Sequence, residues 1–350
     1  MKPYQELTRR GRILRWREVA ERALATFGLQ GAQYRFNHES GNVSFRVFDR
    51  ENARATDADL YLSGQYVLRL HQDGYQETDA IRSELIWLDA LRRDADLPVP
   101  EPIRSMDGEL LVEVEHPGIP MPRRCSLLRW VRGRLTERGI APSHIHAMVR
   151  TMALMHEHAS AWVMPKGFTR WRYTWDGLYG ADNVAGVEAG VVYDRMIDSV
   201  RPLFDEATSA LREVMGSLGE GPEAFGLIHA DISPGSNILF WRGEARPIDF
   251  DDCAFGYWMF DIGVGLAPCS TRPDWPGLRE AFKTGYESVR ALPESQWRFL
   301  ELFVSAWYAF EIFWAAADAV KVPAWGKASD RWMIRAGEDL ARVLRGLPSI

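Results

Sequence analysis

Apolar residues recur at helical spacing close to the start of the chain. Within residues 14–28, Leu14, Val19 and Ala23 fall on one side, which predicts an amphipathic helix. Gly28 favours an end to that helix. The basic residues at its start are Arg9, Arg10, Arg12, Arg15 and Arg17. They indicate a solvated helix face, with a phosphate- or partner-binding patch as the alternative.

The hydrophobic pattern then changes to short alternating runs, which are typical of strands. One helical pattern interrupts them, over Gln76–Arg93, and the Pro-rich segment that follows cannot continue a helix. The predicted strands are Val43–Phe48, Tyr66–Leu70, Leu110–Val114 and Ser126–Val131.

Helical periodicity dominates the rest of the chain. Helices are predicted over Ile145–His158 and Tyr193–Met215, and the region of residues 276–346 is predicted to be helical, with an aromatic-rich segment from Trp297 to Trp314. Short apolar runs between them predict the strands Gly226–His229, Ile238–Trp241 and Pro247–Phe250. We therefore divide the chain into a strand-rich domain, residues 1–130, and a mainly helical domain, residues 131–350.

Length, charge and cysteine content narrow the class of protein. The 350 residues fit two domains, which need neither a disulfide nor a metal to form a core. A net charge of −6 argues against a general nucleic-acid binder. Three widely spaced cysteines form no zinc or disulfide pattern, which favours a cytoplasmic setting. The apolar stretch Val304–Val320 is interrupted by Glu311 and Asp318, so we expect no membrane span.

Residues 228–252 carry the strongest chemical signal. Asp231 ends one apolar strand, Asn237 precedes a second, and Asp249 ends a third. A hairpin of this kind can bring the three side chains to one end of a sheet. Their oxygens suit Mg²⁺, and a carboxylate left off the metal can accept a proton from a hydroxyl. This set indicates phosphoryl transfer rather than a merely solvated polar loop.

The same stretch resembles the catalytic loop of the aminoglycoside phosphotransferase and choline kinase superfamily, H-G-D-x-x-x-x-N followed by I-D-[FW]-[DE]-D. Phe260-Asp261-Ile262-Gly263 matches that family's downstream D-[IL]-[AG] segment. The resemblance implies an α+β, bilobal protein-kinase-like fold, with an antiparallel sheet in a small N-terminal lobe and a larger, mostly helical C-terminal lobe. It implies that Asp231 is the catalytic base, that Asn237 and Asp249 hold Mg²⁺, and that Asp261 braces the loop.

The catalytic loop departs from the family pattern at two positions. Five residues separate Asp231 from Asn237, where the family has four, so either the loop bulges or Ser236 takes the ligand position. We expect Asn237, because an amide oxygen is the usual ligand type. Ala230 stands where the family has glycine.

The resemblance also implies a nucleotide-binding set in the N-terminal domain. Arg69, in Tyr66–Leu70, corresponds to the cation that reaches the ATP phosphates, and Glu84 to the helix carboxylate that pairs with it. The alternatives are an exposed strand arginine and a surface carboxylate. The expected phosphate loop contains Ser40, Gly41 and Asn42, with an ordinary hairpin turn as the alternative. Leu128 and Trp130 are expected at the adenine edge in the interlobe hinge, unless this strand is only core.

These observations predict an ATP- and Mg²⁺-dependent phosphotransferase that moves the γ-phosphoryl group to a hydroxyl of a small molecule or of a protein Ser/Thr. The N-terminal pattern looks most like the branch of homoserine kinases and stress-response kinases. The alternative is a catalytically weak, nucleotide-binding pseudokinase, since the loop carries an insertion and Arg69 replaces lysine. Glu311 and Asp318 can attract a cationic acceptor or form a solvated helix face.

Overall fold

A computed structural model describes residues 2–49, 59–136 and 140–346. Backbone contacts divide it into two units. The first comprises the described chain up to Arg134 together with Met164–Thr169, and the second comprises Leu135–Val163 and the chain from Arg170 onward. The predicted border at 130/131 cuts through a strand that continues to Val131 and pairs there with Tyr61. The border between the units therefore lies a few residues later.

The first unit contains an antiparallel sheet and two long helices. The elements are α1 (Arg9–Thr26), β1 (Gln33–Ser40), β2 (Asn42–Phe48), β3 (Tyr61–Leu70), α2 (Thr78–Ala95), β4 (Pro102–Ile103), β5 (Val112–Val114) and β6 (Arg123–Val131). The strands lie in the order β1-β2-β3-β6-β4, and β5 pairs with β6.

Helix α1 begins earlier than predicted because Thr8 caps it, its side chain accepting a hydrogen bond from the Gly11 N–H. The apolar side of α1 packs on the sheet. Trp16 and Val19 join Phe45 of β2 in one buried cluster. The predicted solvated basic face is wrong at one arginine, Arg15, which is buried and donates to backbone carbonyl oxygens.

The second unit is mainly helical and contains two small sheets. Its strands are β7 (Trp171–Tyr173), β8 (Phe225–Ile228), β9 (Ile238–Trp241), β10 (Glu244–Pro247) and β11 (Ala254–Tyr257). They form the sheets β10-β9 and β7-β11-β8. Its helices are α3 (Pro142–Ala161), α4 (Trp175–Tyr179), α5 (Ala189–Arg195), α6 (Arg201–Leu218), α7 (Trp258–Leu266), α8 (Trp275–Glu287), α9 (Glu294–Trp297), α10 (Leu300–Lys321) and α11 (Gly326–Gly346).

Two predicted elements of the second unit are wrong in extent. The helix predicted over Tyr193–Met215 is two helices, because Pro202 belongs to the first turn of α6 and favours a new start there. The strand predicted over Pro247–Phe250 ends at Pro247. Arg242 and Gly243, with φ of 49° and 83°, form a two-residue hairpin turn between β9 and β10, so pairing begins at once at Glu244.

Helix α10 is long and apolar enough to cross a membrane by length and composition alone. The helix extends beyond the apolar stretch Val304–Val320 at both ends. In its most apolar window 78% of the helix is buried inside the protein. Packing in the core of the second unit therefore accounts for its apolar character.

Helices α7 and α10 approach each other at Gly263. A Cβ atom on Gly263 would lie 2.4 Å from the carbonyl oxygen of Phe303, a backbone atom that cannot rotate away. We expect Gly263→Ala to lower the free energy of unfolding by about 3 kcal/mol. The control is Gly216→Ala in α6, where a Cβ meets nothing within 4 Å and helix propensity rises. Thermal unfolding of both variants tests this, and an unchanged midpoint for Gly263→Ala would contradict the close approach.

Candidate active site

The turn that follows β8 is fixed by one buried carboxylate, Asp261, in the first turn of α7. The backbone N–H groups of His229 and Ala230 donate to its Oδ2 and Oδ1 atoms at 3.2 and 2.8 Å. Ala230 has a φ of 71°, a left-handed conformation that favours glycine. The bond from its N–H helps to hold this residue where the related loops carry glycine. Asp261 therefore braces the loop, as predicted.

Asp261 is itself held by His156 of α3. His156 Nε2 lies 2.9 Å from Asp261 Oδ2, and its Nδ1 lies 2.8 Å from the hydroxyl of Tyr286. Burial lowers the pKa of His156, so the ring is neutral. Burial alone would raise the pKa of Asp261, but the hydrogen bond from His156 and the nearby backbone N–H groups lower it, so the carboxylate is ionised. An ionised carboxylate only accepts, so Nε2 carries the ring proton and Tyr286 donates to Nδ1.

The catalytic loop brings Asn237 against Asp231. Asn237 Nδ2 lies 2.5 Å from Asp231 Oδ2 and 3.1 Å from the Asp231 carbonyl oxygen. A turn closed by the Ser236 N–H on the Ser233 carbonyl, at 3.1 Å, accommodates the extra residue. The side chain of Ser236 is exposed. Of the two candidates for the ligand position, the structure therefore brings Asn237 to Asp231.

Asp249 lies just beyond β10, in a left-handed conformation with a φ of 64°. Its neighbours fix the chain on both sides. The Ile248 N–H donates to the Asn237 carbonyl at 2.9 Å, and the buried ring of Phe250 lies 4.3 Å from the His229 ring. Asp249 is exposed between these two anchors. This conformation, and not the end of a strand, presents the carboxylate.

Several carboxylates act electrostatically on Asp231. Burial raises the pKa of Asp231 well above its ordinary range. Neighbouring carboxylates raise it further, and they belong to Asp252, Asp249 and Asp251. A cation bound among these groups would offset their repulsion and favour the ionised form of Asp231.

The side chains of Asn237 and Asp249 fit a hard cation. An amide and a carboxylate oxygen are ligands that Mg²⁺ accepts, and Mg²⁺ usually takes only one or two carboxylates from a protein, with water and substrate phosphates completing the shell. Within the described part of the chain there is no cluster of three or more His, Cys, Asp or Glu side chains suited to a metal. The donor set therefore fits Mg²⁺ held jointly with a phosphate ligand.

Sequence reasoning did not identify Arg170, which secures the segment after Asp249. Arg170 is buried, and its Nε donates to the Cys253 carbonyl oxygen at 2.6 Å. It also donates to the Asp251 carbonyl oxygen. No motif marks this residue, because its partners lie about eighty positions away.

In the first unit, Arg69 of β3 and Glu84 of α2 form an ion pair. Arg69 Nη1 lies 2.6 Å from Glu84 Oε1, and their side chains are 7% and 0% exposed. These exposures exclude both alternatives, the exposed strand arginine and the surface carboxylate. A buried pair of this kind needs good geometry to offset desolvation, so it holds the guanidinium in one place.

The remaining predicted nucleotide residues also lie in the first unit. Ser40 and Asn42 pair across a tight hairpin turn at Gly41, which has a φ of 69°. Asn42 Oδ1 accepts a hydrogen bond from the Gln72 N–H at 2.9 Å. The ordinary-hairpin alternative therefore describes the geometry of this segment. On β6, Leu128 is buried and Trp130 is half-buried.

Helix α10 presents a stripe of partly exposed side chains that alternate between aromatic and acidic. The residues of this aromatic–acidic stripe are Trp307, Glu311, Trp314 and Asp318. Their spacing of four, three and four residues places them on one helix face. Phe310, beside the stripe, packs on Tyr173 with ring centroids 5.6 Å apart.

Among the residues of the stripe, Glu311 acts electrostatically on Asp231 of the catalytic loop. Its charge contributes to the raised pKa of Asp231. Trp332 Nε1 donates to Glu311 Oε1 at 3.2 Å, and no basic side chain of the described residues forms an ion pair with it. Burial raises the pKa of Glu311 to about 7. The carboxyl group of Glu311 is therefore partly exposed and partly desolvated, and a fully solvated helix face does not describe it.

Comparison with solved structures supports the same fold. A microcompartment-associated aminopropanol kinase superposes with a TM-score of 0.77 at 26% identity, covering 95% of this chain and 99% of its own. An amicoumacin kinase, solved with AMP-PNP and Ca²⁺, gives a TM-score of 0.73 at 16% identity, and the match covers 95% of this chain and 96% of the kinase chain. The predicted α+β, protein-kinase-like fold is therefore confirmed.

Comparison of sequences assigns the family. The uncharacterized protein sll1119 of Synechocystis sp. is 23% identical over 265 residues, which are 73% of this chain and 71% of that protein. The sequence profile of the phosphotransferase enzyme family matches residues 40–303, which include the catalytic loop, Asp249 and Arg69. The chain therefore belongs to the phosphotransferase enzyme family and is a phosphotransferase with a hydroxyl acceptor.

Proposed function

We propose that this protein transfers the γ-phosphoryl group of ATP, with Mg²⁺, to the hydroxyl of a small amine-bearing alcohol. The observation that carries the proposal is the contact of Asn237 with Asp231 in a loop braced by Asp261. This contact fixes a carboxylate beside an amide ligand despite the inserted residue. A pseudokinase would not need that arrangement.

Each residue has one task in the proposed reaction. Asp231 orients the acceptor hydroxyl and takes its proton as the phosphoryl group is transferred. Arg69, positioned by Glu84, binds phosphate oxygens through its planar fork. Asn237 and Asp249 would hold Mg²⁺, which neutralises charge on the phosphates when it is bound.

The amine on the acceptor is inferred from the aromatic–acidic stripe. Glu311 supplies negative charge, and the rings of Trp307 and Trp314 are surfaces on which an ammonium group binds well. The chain itself provides an analogue, since the ammonium of Lys321 lies 5.3 Å from the centre of the Trp314 ring. The aminopropanol kinase supports the same class of acceptor. Membership of the branch with homoserine kinases and stress-response kinases stays a prediction.

The test is acceptor-stimulated ADP formation by the purified protein with Mg²⁺. The acceptor panel would hold amino alcohols, hydroxyl-bearing amino acids, an aminoglycoside, matched alcohols without an amine, and a generic Ser/Thr protein. We expect stimulation by one or more small amine-bearing alcohols. Stimulation only by the protein, or by alcohols regardless of an amine, would contradict the proposed acceptor class.

Replacing Glu311 by glutamine is expected to reduce selectivity for an amine. We compare kcat/KM for 1-amino-2-propanol with that for 2-butanol, in which a methyl group replaces the ammonium. The ratio should fall by about 10- to 100-fold in Glu311→Gln, because a charge-assisted contact is lost while the hydroxyl chemistry stays. The control is Glu338→Gln, an exposed carboxylate on α11. An unchanged ratio in Glu311→Gln would remove this residue from acceptor recognition.

The same ratio is expected to rise with pH in the parent protein. Burial raises the pKa of Glu311 to about 7, so its ionised form, which attracts an ammonium, increases between pH 6 and pH 8. The charged groups that act on Glu311 from α11 are Arg335 and Asp339. Titration of Asp231 or of the nucleotide affects both acceptors and cancels in the ratio. Glu311→Gln should give a flat profile.

A further inference from the structure

The strand register places a second arginine on the face of the first-unit sheet that carries Arg69. Directly opposed residues on neighbouring strands share a face. Arg46 of β2 lies opposite Val67 of β3, which lies opposite Leu128 of β6. Arg69 belongs to the next row of the same face, since residues two apart on a strand point the same way. The other face carries the core with α1.

The guanidinium of Arg46 lies over an aromatic ring. Its Cζ lies 4.0 Å from the centre of the Trp130 ring. Its Nε and Nη2 donate to Gln65 Oε1 at 3.0 and 2.5 Å. Gln65 thus occupies one edge of the guanidinium, and the edge formed by the two terminal nitrogens is left for other acceptors.

Arg46 is a half-buried cation without a carboxylate in an ion pair among the described residues, unlike Arg69 of β3 and Arg129 of β6. Arg69 pairs with Glu84, and Arg129 Nε lies 2.6 Å from a carboxylate oxygen of Glu101. Burial lowers the pKa of Arg46, and the neighbouring Arg35 lowers it further. A cation that is partly desolvated and uncompensated is costly, which points to a ligand rich in acceptors.

We infer that Arg46 is a residue that binds the purine base of the nucleotide, with its guanidinium fixed by Gln65 and stacked on Trp130. This inference rests on the proposed function, in which Arg69 binds the phosphates, and on the expectation that Leu128 and Trp130 border the base. Arg46 shares a row with Leu128 and not with Arg69, so it reaches the base end of the ligand. Ring nitrogen N7 of a purine accepts a hydrogen bond, and an arginine edge donates to it.

Calorimetric titration of the full-length protein with ADP, GDP and inorganic tripolyphosphate, in the presence of Mg²⁺, tests the inference. Tripolyphosphate has no base and therefore reports only on phosphate binding. We expect Arg46→Met to weaken ADP and GDP binding by about tenfold while tripolyphosphate changes less than about twofold. Equal weakening of all three ligands, or no weakening of any, would overturn the inference.

Three further variants make the result unambiguous. Arg46→Lys keeps the charge but loses the planar group, and it should behave like Arg46→Met. Arg35→Met, its neighbour across the β1–β2 pair, should leave all three affinities within about twofold, because a solvated charge contributes little. Arg69→Met should weaken tripolyphosphate and ADP alike. If Arg69→Met weakens the binding of neither ligand, the proposed nucleotide site is wrong. If Arg69→Met weakens the binding of both, but Arg46→Met does not selectively weaken the binding of ADP and GDP, only the inference about the base is wrong.

Discussion

Asp231→Asn is expected to lower kcat for acceptor phosphorylation by about 10³-fold, in the middle of the range of general-base contributions. An amide cannot take the proton of the acceptor hydroxyl, and it is a weaker hydrogen-bond acceptor than a carboxylate. Its carbonyl oxygen can still accept from Asn237 Nδ2, so the loop keeps its geometry. Nucleotide affinity should therefore change less than about threefold.

Steady-state kinetics and calorimetric nucleotide titration of the same preparation test this expectation. Equal losses of turnover and of nucleotide affinity would indicate a collapsed loop instead of a lost base. Turnover within tenfold of the parent protein would remove Asp231 from the reaction. Thermal unfolding of the variant checks that the second unit remains folded.

Asp249→Asn is expected to have the second largest effect, a fall in kcat of about 10²-fold or more and a similar rise in the Mg²⁺ concentration for half-maximal rate. The amide is a weaker ligand than the carboxylate for a hard cation. Asn237→Ala should act in the same direction, because it removes the other proposed ligand. Rates measured across a Mg²⁺ series, at saturating nucleotide, separate a metal defect from a loss of chemistry.

Ser236→Ala is the matched control for these metal variants. Ser236 directly precedes Asn237, and its side chain is exposed. We expect its Mg²⁺ dependence to match that of the parent protein. A raised Mg²⁺ requirement in Ser236→Ala, together with normal behaviour of Asn237→Ala, would assign the ligand position to the serine and contradict the geometry of the loop.

The sequence predicted the element types well where periodicity was strong, as in α2 and α3, and less well where chain direction depends on turns. The Pro247–Phe250 strand failed because a two-residue turn at Arg242 and Gly243 set the pairing earlier. The helix over Tyr193–Met215 failed because the periodicity was followed across Pro202, which favours a new helix start. Resemblance to a family, and not periodicity, indicated the bracing role of Asp261.

Several features of the candidate site depend on tertiary contacts that no local pattern carries. Arg170 meets the segment after Asp249 only through the fold. The inferred role of Arg46 in binding the base depends on the strand register, which aligns Arg46 with Leu128. The spacing of Glu311 on its helix was visible in the sequence, but its burial and its effect on Asp231 were not. The sequence pattern predicts which face of a helix or strand a residue occupies, but the packing of these elements determines what that face contacts.

Phosphoryl transfer through Asp231 is tested most directly by ³¹P nuclear magnetic resonance of a complete reaction with ATP, Mg²⁺ and an amino alcohol. Such transfer predicts a new phosphate monoester resonance that grows in equal amount with ADP, and that is absent with Asp231→Asn. Free inorganic phosphate as the only product, or the same monoester at an unchanged rate from Asp231→Asn, would contradict transfer to an acceptor hydroxyl through this residue.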